Sequence, residues 1–86
     1  MYYIFAVSDA TGTTSERVLR AALSQFDASQ ITVARYGGVR TVQQVREVVH
    51  EAELKNGFVV HTFVSEALRR VVLKEGREHN VTTIDL

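Results

Sequence analysis

The sequence predicts an α/β fold: a parallel four-stranded sheet in a three-layer arrangement, βαβαβαβ, with strand order 2-1-3-4. Three observations predict it. Apolar runs of strand length alternate with segments whose apolar residues recur every three or four positions, as parallel sheets with crossover helices require. Two strand segments, Tyr2–Val7 and Phe58–Val60, are continuously apolar, as in strands covered on both faces. The other two, Ile31–Tyr36 and Val81–Leu86, alternate and belong at the edges. Central strands one and three between edge strands two and four give the flavodoxin-like order, a Rossmann-like half of a doubly wound fold.

Each element has its own local reason. After the first strand, Val18, Leu19, Ala22, Leu23 and Phe26 form one helical stripe, closed by Asp27-Ala28-Ser29. Thr13 and Glu16 have the spacing of a capping box at its start. Gly37-Gly38 breaks the second strand. Thr41 and Gln44 then give a second capping box, followed by a buried face of Val42, Val45, Val48, Val49 and Ala52. Asn56-Gly57 supplies a left-handed helix end. Ser65 caps a third helix with Leu68, Val71 and Val72 inward, whose last turns Gly76 weakens.

With 86 residues the chain makes one domain, 1–86. Lys plus Arg number 10 and so do Asp plus Glu, so no global field draws in nucleic acid or anionic lipid. There is no Cys, which removes disulfides, thiolate metal sites and cysteine nucleophiles, and agrees with a cytoplasmic setting. No apolar run reaches membrane-spanning length, and Met1-Tyr2-Tyr3-Ile4 reads directly into a strand rather than a basic leader. His50, His61 and His79 have no metal-ligand spacing, so no metal site is expected.

Right-handed crossovers put the first helix on one face of the sheet and the other two helices on the opposite face. The first face is then half bare beneath strands three and four. That patch leads us to expect a homodimer or packing against further sequence.

Ligands of open α/β sheets bind beyond the carboxyl ends of the strands, where the order reverses. That point lies between strands one and three, so Ser8, Asp9, Thr11, Gly12, Thr13, Thr14, Arg40, His61 and Ser65 are the candidate ligand- or phosphate-binding residues. Amides at a helix start suit an anion. Asp9 opposes one unless a cation or sugar hydroxyl intervenes, and it serves equally well as a turn residue. Arg40 can clamp a phosphate. His61 is read first as a half-buried ring bonded to a neighbouring carbonyl. Arg35, His50 and His79 read as surface. Arg69, Arg70, Lys74 and Arg77 with Glu66, Glu75 and Glu78 read as a solvated helix face. No residue is assigned a catalytic role.

The run Val7-Ser8-Asp9-Ala10-Thr11-Gly12-Thr13-Thr14-Ser15-Glu16, followed by Leu23-Ser24-Gln25-Phe26, resembles the amino-terminal region of the pyruvate, phosphate dikinase regulatory proteins and of their relatives that regulate phosphoenolpyruvate synthase. It departs from the family pattern at Ser15, where Ala is usual, and at Ala10, where Gly or Ser is common. Phe63–Leu68 and Asp85-Leu86 carry the similarity to the end of the chain. The resemblance implies a bifunctional enzyme that phosphorylates a Thr of its target from ADP and removes the phosphate with inorganic phosphate, releasing pyrophosphate. ADP or ATP and inorganic phosphate are thus the implied ligands, and pyruvate, phosphate dikinase or phosphoenolpyruvate synthase the implied partner. The family's P-loop, G-x-x-x-x-G-K-[ST], is absent here, so the chain reads as the amino-terminal domain, inactive alone. Its role would be dimerisation, docking, or shaping the active crevice. The alternatives are a stand-alone sensor of a small ligand or nucleotide, and a structural domain whose motif only stabilises the turn.

Overall fold

The computed structural model describes residues 2–11, 13–25 and 28–86. The elements run β1 (Tyr2–Ser8), α1 (Thr13–Leu23), a 3-10 turn (Ala28–Gln30), β2 (Ile31–Tyr36), α2 (Val42–Leu54), β3 (Phe58–Thr62), α3 (Glu66–Glu78) and β4 (Thr83–Asp85). All pairings are parallel and the order is β2-β1-β3-β4, as expected. β1 is buried over its last five residues, whereas β2 stays half open along its length.

Side-chain alternation splits the core into two layers. Phe5, Val7, Val59 and Phe63 pack under α2 and α3 with Val45, Val48, Val49, Ala52, Leu68 and Val72. Ile4, Ala6 and Val60 pack under α1 with Leu19, flanked by Leu23, Ile31 and Val33. Burying one such Val or Leu contributes about 1.5–3 kcal/mol, so the helix-pair layer holds the larger share of the stability.

Caps and ends follow the sequence closely, and four side chains or positions differ from expectation. Thr41 and Gln44 form the full capping box, and Ser65 Oγ accepts from Leu68 N. Asn56, at φ 52°, takes the left-handed position that ends α2. The first capping box is not observed: Thr13 is already helical, and Glu16 turns to Arg20 at 3.0 Å and to Arg35 on β2 at 3.3 Å. A carboxylate offered two guanidinium groups finds charge-assisted partners that a backbone amide does not match. Gly76 is a packing residue, because a Cβ there would lie 2.5 Å from Thr83 Cγ2 where α3 crosses β4. Glu75 is buried rather than solvated, 3.6 Å from Arg46 on α2 and 3.8 Å from His79. His79 also lies 3.2 Å from Glu53, so it joins a polar cluster between α2 and α3 instead of standing free in solvent. The expected contributions of Phe26 and Asp27 lie outside the described residues.

Candidate functional site at the carboxyl ends of β1 and β3

The turn after β1 is built from its own short side chains. Ser8 is buried, and its Oγ accepts from Ala10 N at 3.0 Å. Thr11 Oγ1 accepts from Thr13 N at 3.4 Å, a loose side-chain turn leading into α1. Gly12 lies outside the described residues, as does the side chain of Thr14.

Asp9 leaves this turn and reaches across the sheet. Its Oδ2 accepts from Ser65 N at 2.9 Å, and both its oxygens lie near Val64 N, at 3.2 and 3.1 Å. These amides stand at the amino end of α3, where the helix dipole favours negative charge. The Ser65 amide, more than any other group, holds the Asp9 carboxyl below its ordinary value of 3.8. Burial opposes it as the next-largest effect, and the Val64 amide and the charge of Arg40 add smaller lowering contributions. Asp9 is therefore ionised near neutrality and bonded within the chain.

The Gly37-Gly38 turn is latched to the same corner. Gly38 N donates to Ala10 O at 2.7 Å, and Val39 N donates to Ser8 O at 3.0 Å. Only glycine permits this approach at position 37: a Cβ would fall 2.6 Å from Thr11 O. Gly38 adopts φ +66°, the left-handed conformation. Arg40 follows, exposed, its own N–H donating to Gln44 Oε1 at 2.7 Å. Thus Ser8, Asp9, Thr11, Thr13, Arg40 and Ser65 all lie at one corner beyond the ends of β1 and β3, whose three loops are tied together by hydrogen bonds.

His61 differs from the rest. It lies on the α2–α3 side of β3, fully buried, and neither ring nitrogen has a hydrogen-bond partner among the described residues. The expected carbonyl partner is not observed. The ring stacks on Phe63 at 5.9 Å between centroids. Burial drives its pKa below 6.5; Asp85 pulls up and Arg69 pushes down. Arg69 also lies 3.5 Å from Asp85 through Nε, close enough for attraction but not aligned for a hydrogen bond.

An open hollow of about 470 Å³ adjoins this corner through Gly37 and Val39, between the end of β2 and α2. Glu47 and Glu51 line it, so it repels rather than attracts a phosphate. Sequence reasoning missed the amides of Val64 and Ser65 as the partners of Asp9. They are 55 and 56 residues away, beyond any spacing rule.

A β1 turn clamped to a neighbouring helix start, beyond the carboxyl edge of a parallel sheet in the order β2-β1-β3-β4, defines a Rossmann-like α/β domain. The chain belongs to the kinase/pyrophosphorylase family, whose model matches residues 4–86. Its relatives include pyruvate, phosphate dikinase regulatory proteins by name. The one from Trichlorobacter lovleyi is 38% identical over 86 residues, 100% of this chain and 32% of the relative. That of Listeria monocytogenes is 39% identical over 83 residues, 96% of this chain and 30% of the relative. That of Chloroflexus aurantiacus is 36% identical over 83 residues, again 96% and 30%. The chain thus spans about a third of the length of the curated relatives it matches. No helix among the described residues is long and apolar enough to cross a membrane.

Proposed function

We propose that this chain is the amino-terminal wall of the active crevice in a bifunctional regulator of pyruvate, phosphate dikinase or phosphoenolpyruvate synthase. In one direction a target Thr hydroxyl takes the terminal phosphoryl group of ADP, with AMP leaving and a proton released. In the other, inorganic phosphate takes that group from the phosphothreonine, giving pyrophosphate and restoring the hydroxyl. The observation that carries the reading is the Asp9 clamp. It fixes the β1 turn against α3 beyond the strand ends, the position at which open α/β sheets generally bind ligands. Exposed Arg40, on the adjoining turn, offers a positive charge to a phosphate edge.

The wall is not the whole machine. Phosphoryl transfer needs a nucleotide held by a P-loop or its equivalent and charge neutralisation at the moving group. This sequence contains no P-loop motif, so the chain alone transfers no phosphate. Homodimer formation and a cytoplasmic setting complete the proposal. The lack of Cys is in keeping with that setting. Sedimentation at rising concentration reads the dimer.

The test is titration of the isotope-labelled chain with ADP and, separately, inorganic phosphate, read by amide shifts. Shifts at residues 8–14 and at Arg40 support the wall. Silence at both, at millimolar ligand, rejects it in favour of a docking surface.

A further inference from the structure

Val60 and its register partner Ile84 face the α1 side of the sheet, as does Phe58, two residues from Val60. Leu86 N donates to His61 O at 3.0 Å, which continues the ladder and turns Leu86 to that side too. Phe58, Ile84 and Leu86 are 38%, 47% and 50% exposed. This strip is not a flat surface, because α1 walls one side of it. Glu16 of α1 pairs with Arg35 on β2, so the Glu16–Arg20 flank of the helix faces β2. At 100° per residue, Val18 and Ala22 lie on the opposite flank, toward β3 and β4. Both are exposed. The result is a notch floored by Phe58, Val60, Ile84 and Leu86 and walled by Val18 and Ala22. Its two-strand width, about 10 Å, matches the diameter of one helix.

We propose that this notch seats an amphipathic helix contributed by the part of the family's chains that lies outside these 86 residues. Two observations choose that occupant. The relatives are about three times as long as the matched region, which supplies ample sequence. Among the described residues, a second copy of this chain offers no suitable helix. α2 and α3 already turn their apolar residues to their own sheet, and the outward side of α1 carries Arg17, with Arg20 beside it on the flank toward β2. Lowering α1 of one copy into the notch of another would strip water from those guanidinium groups over a floor with no charged residue, which is costly. The floor and wall are apolar, so the occupant presents Leu-, Ile- or Val-type residues at helical spacing and puts its charges on its far side.

The test uses peptides of about fifteen residues, four helical turns, tiling the Listeria monocytogenes relative beyond its matched region. Each is titrated into the labelled chain to millimolar concentration. The expected result is one peptide that turns helical and shifts the amides of Val18, Ala22, Val60 and Ile84. Ile84→Glu and Val18→Glu, both on exposed side chains, should each weaken that peptide about tenfold or more. Leu54→Glu, which alters an exposed apolar residue of α2 on the opposite face of the sheet, should not. Two results would overturn the proposal: no peptide shifting these amides, or the chain alone shifting them as its concentration rises, which assigns the notch to a second copy. Neither bears on whether ADP or phosphate shifts residues 8–14.

Discussion

Replacing Asp9 by Ala removes the one side chain seen to join the β1 turn to α3. The lost contacts are charge-assisted and end on two amides, at 2.9 Å to Ser65 N and 3.1 Å to Val64 N. Loss of a single capping side chain costs typically about 1 and up to about 2 kcal/mol. Asp9 is partly exposed, so solvent screening keeps the figure from the higher values of buried ion contacts. We expect Asp9→Ala to lose about 1–2 kcal/mol at pH 7, or roughly 4–8 °C of Tm per kcal/mol for a domain this size. Urea unfolding followed by far-ultraviolet circular dichroism measures it. Asp9→Asn keeps an acceptor oxygen but not the charge, and should fall between wild type and Asp9→Ala. Linkage sets the pH dependence. The folded carboxyl is held below 3.8, so its contribution is complete above that value and is lost as pH falls through the folded pKa. Wild type and Asp9→Asn should therefore converge on acidification. An Asp9→Ala loss under about 0.5 kcal/mol, ordinary for a surface change, would refute the clamp as a stabilising link.

Further outcomes follow from other parts of the crevice. His61→Leu should be neutral or stabilising at pH 7, because it removes two buried nitrogens that have no partner among the described residues. Burial puts the folded pKa of His61 below 6.5, so the unfolded chain binds the proton first and wild-type stability falls as pH drops below 6.5. His61→Leu should flatten that decline, and urea midpoints between pH 7 and 5 read it; an unchanged slope would remove His61 as its source. Gly37→Ala should cost about 1–3 kcal/mol and loosen the latch, since its Cβ would sit 2.6 Å from Thr11 O. Faster hydrogen exchange at Gly38 and Val39 is the matching signature. Thr41→Ala should cost about 1 kcal/mol by opening the α2 capping box, with the rest of the fold unchanged; equal unfolding midpoints would contradict this.

Strand order was legible because burial on two faces leaves a different pattern from burial on one. Tyr2–Val7 carries no polar side chain except its tyrosine hydroxyls, so it had to be central, and the sheet places it there. The Thr41–Gln44 cap was legible because both partners are local. The Thr13–Glu16 cap failed for the converse reason: Arg35, the competitor for Glu16, arrives on another strand. His61 ends an apolar run, and nothing in the run says whether a partner meets its ring. Glu75 read as solvated because helical spacing among charged residues cannot show that Arg46 and His79 close over it.

The positions of the satisfied amides narrow where a ligand's charge can be met. A helix start attracts an anion through amides that lack intrahelical acceptors. At α2 the Thr41 hydroxyl takes the Gln44 amide, while the Gln44 side chain takes those of Arg40 and Thr41. At α3 Asp9 takes the amides of Val64 and Ser65, and Ser65 Oγ takes that of Leu68. A phosphate directed to α3 would have to displace a carboxylate that Ser65 already holds ionised. One directed to the start of α1 meets the Asp9 charge at the side, but that charge is already neutralised in part by the α3 amides and by Arg40. Asp9 therefore closes the anion position at α3, which leaves the exposed Arg40 side chain as the place to look for a bound phosphate.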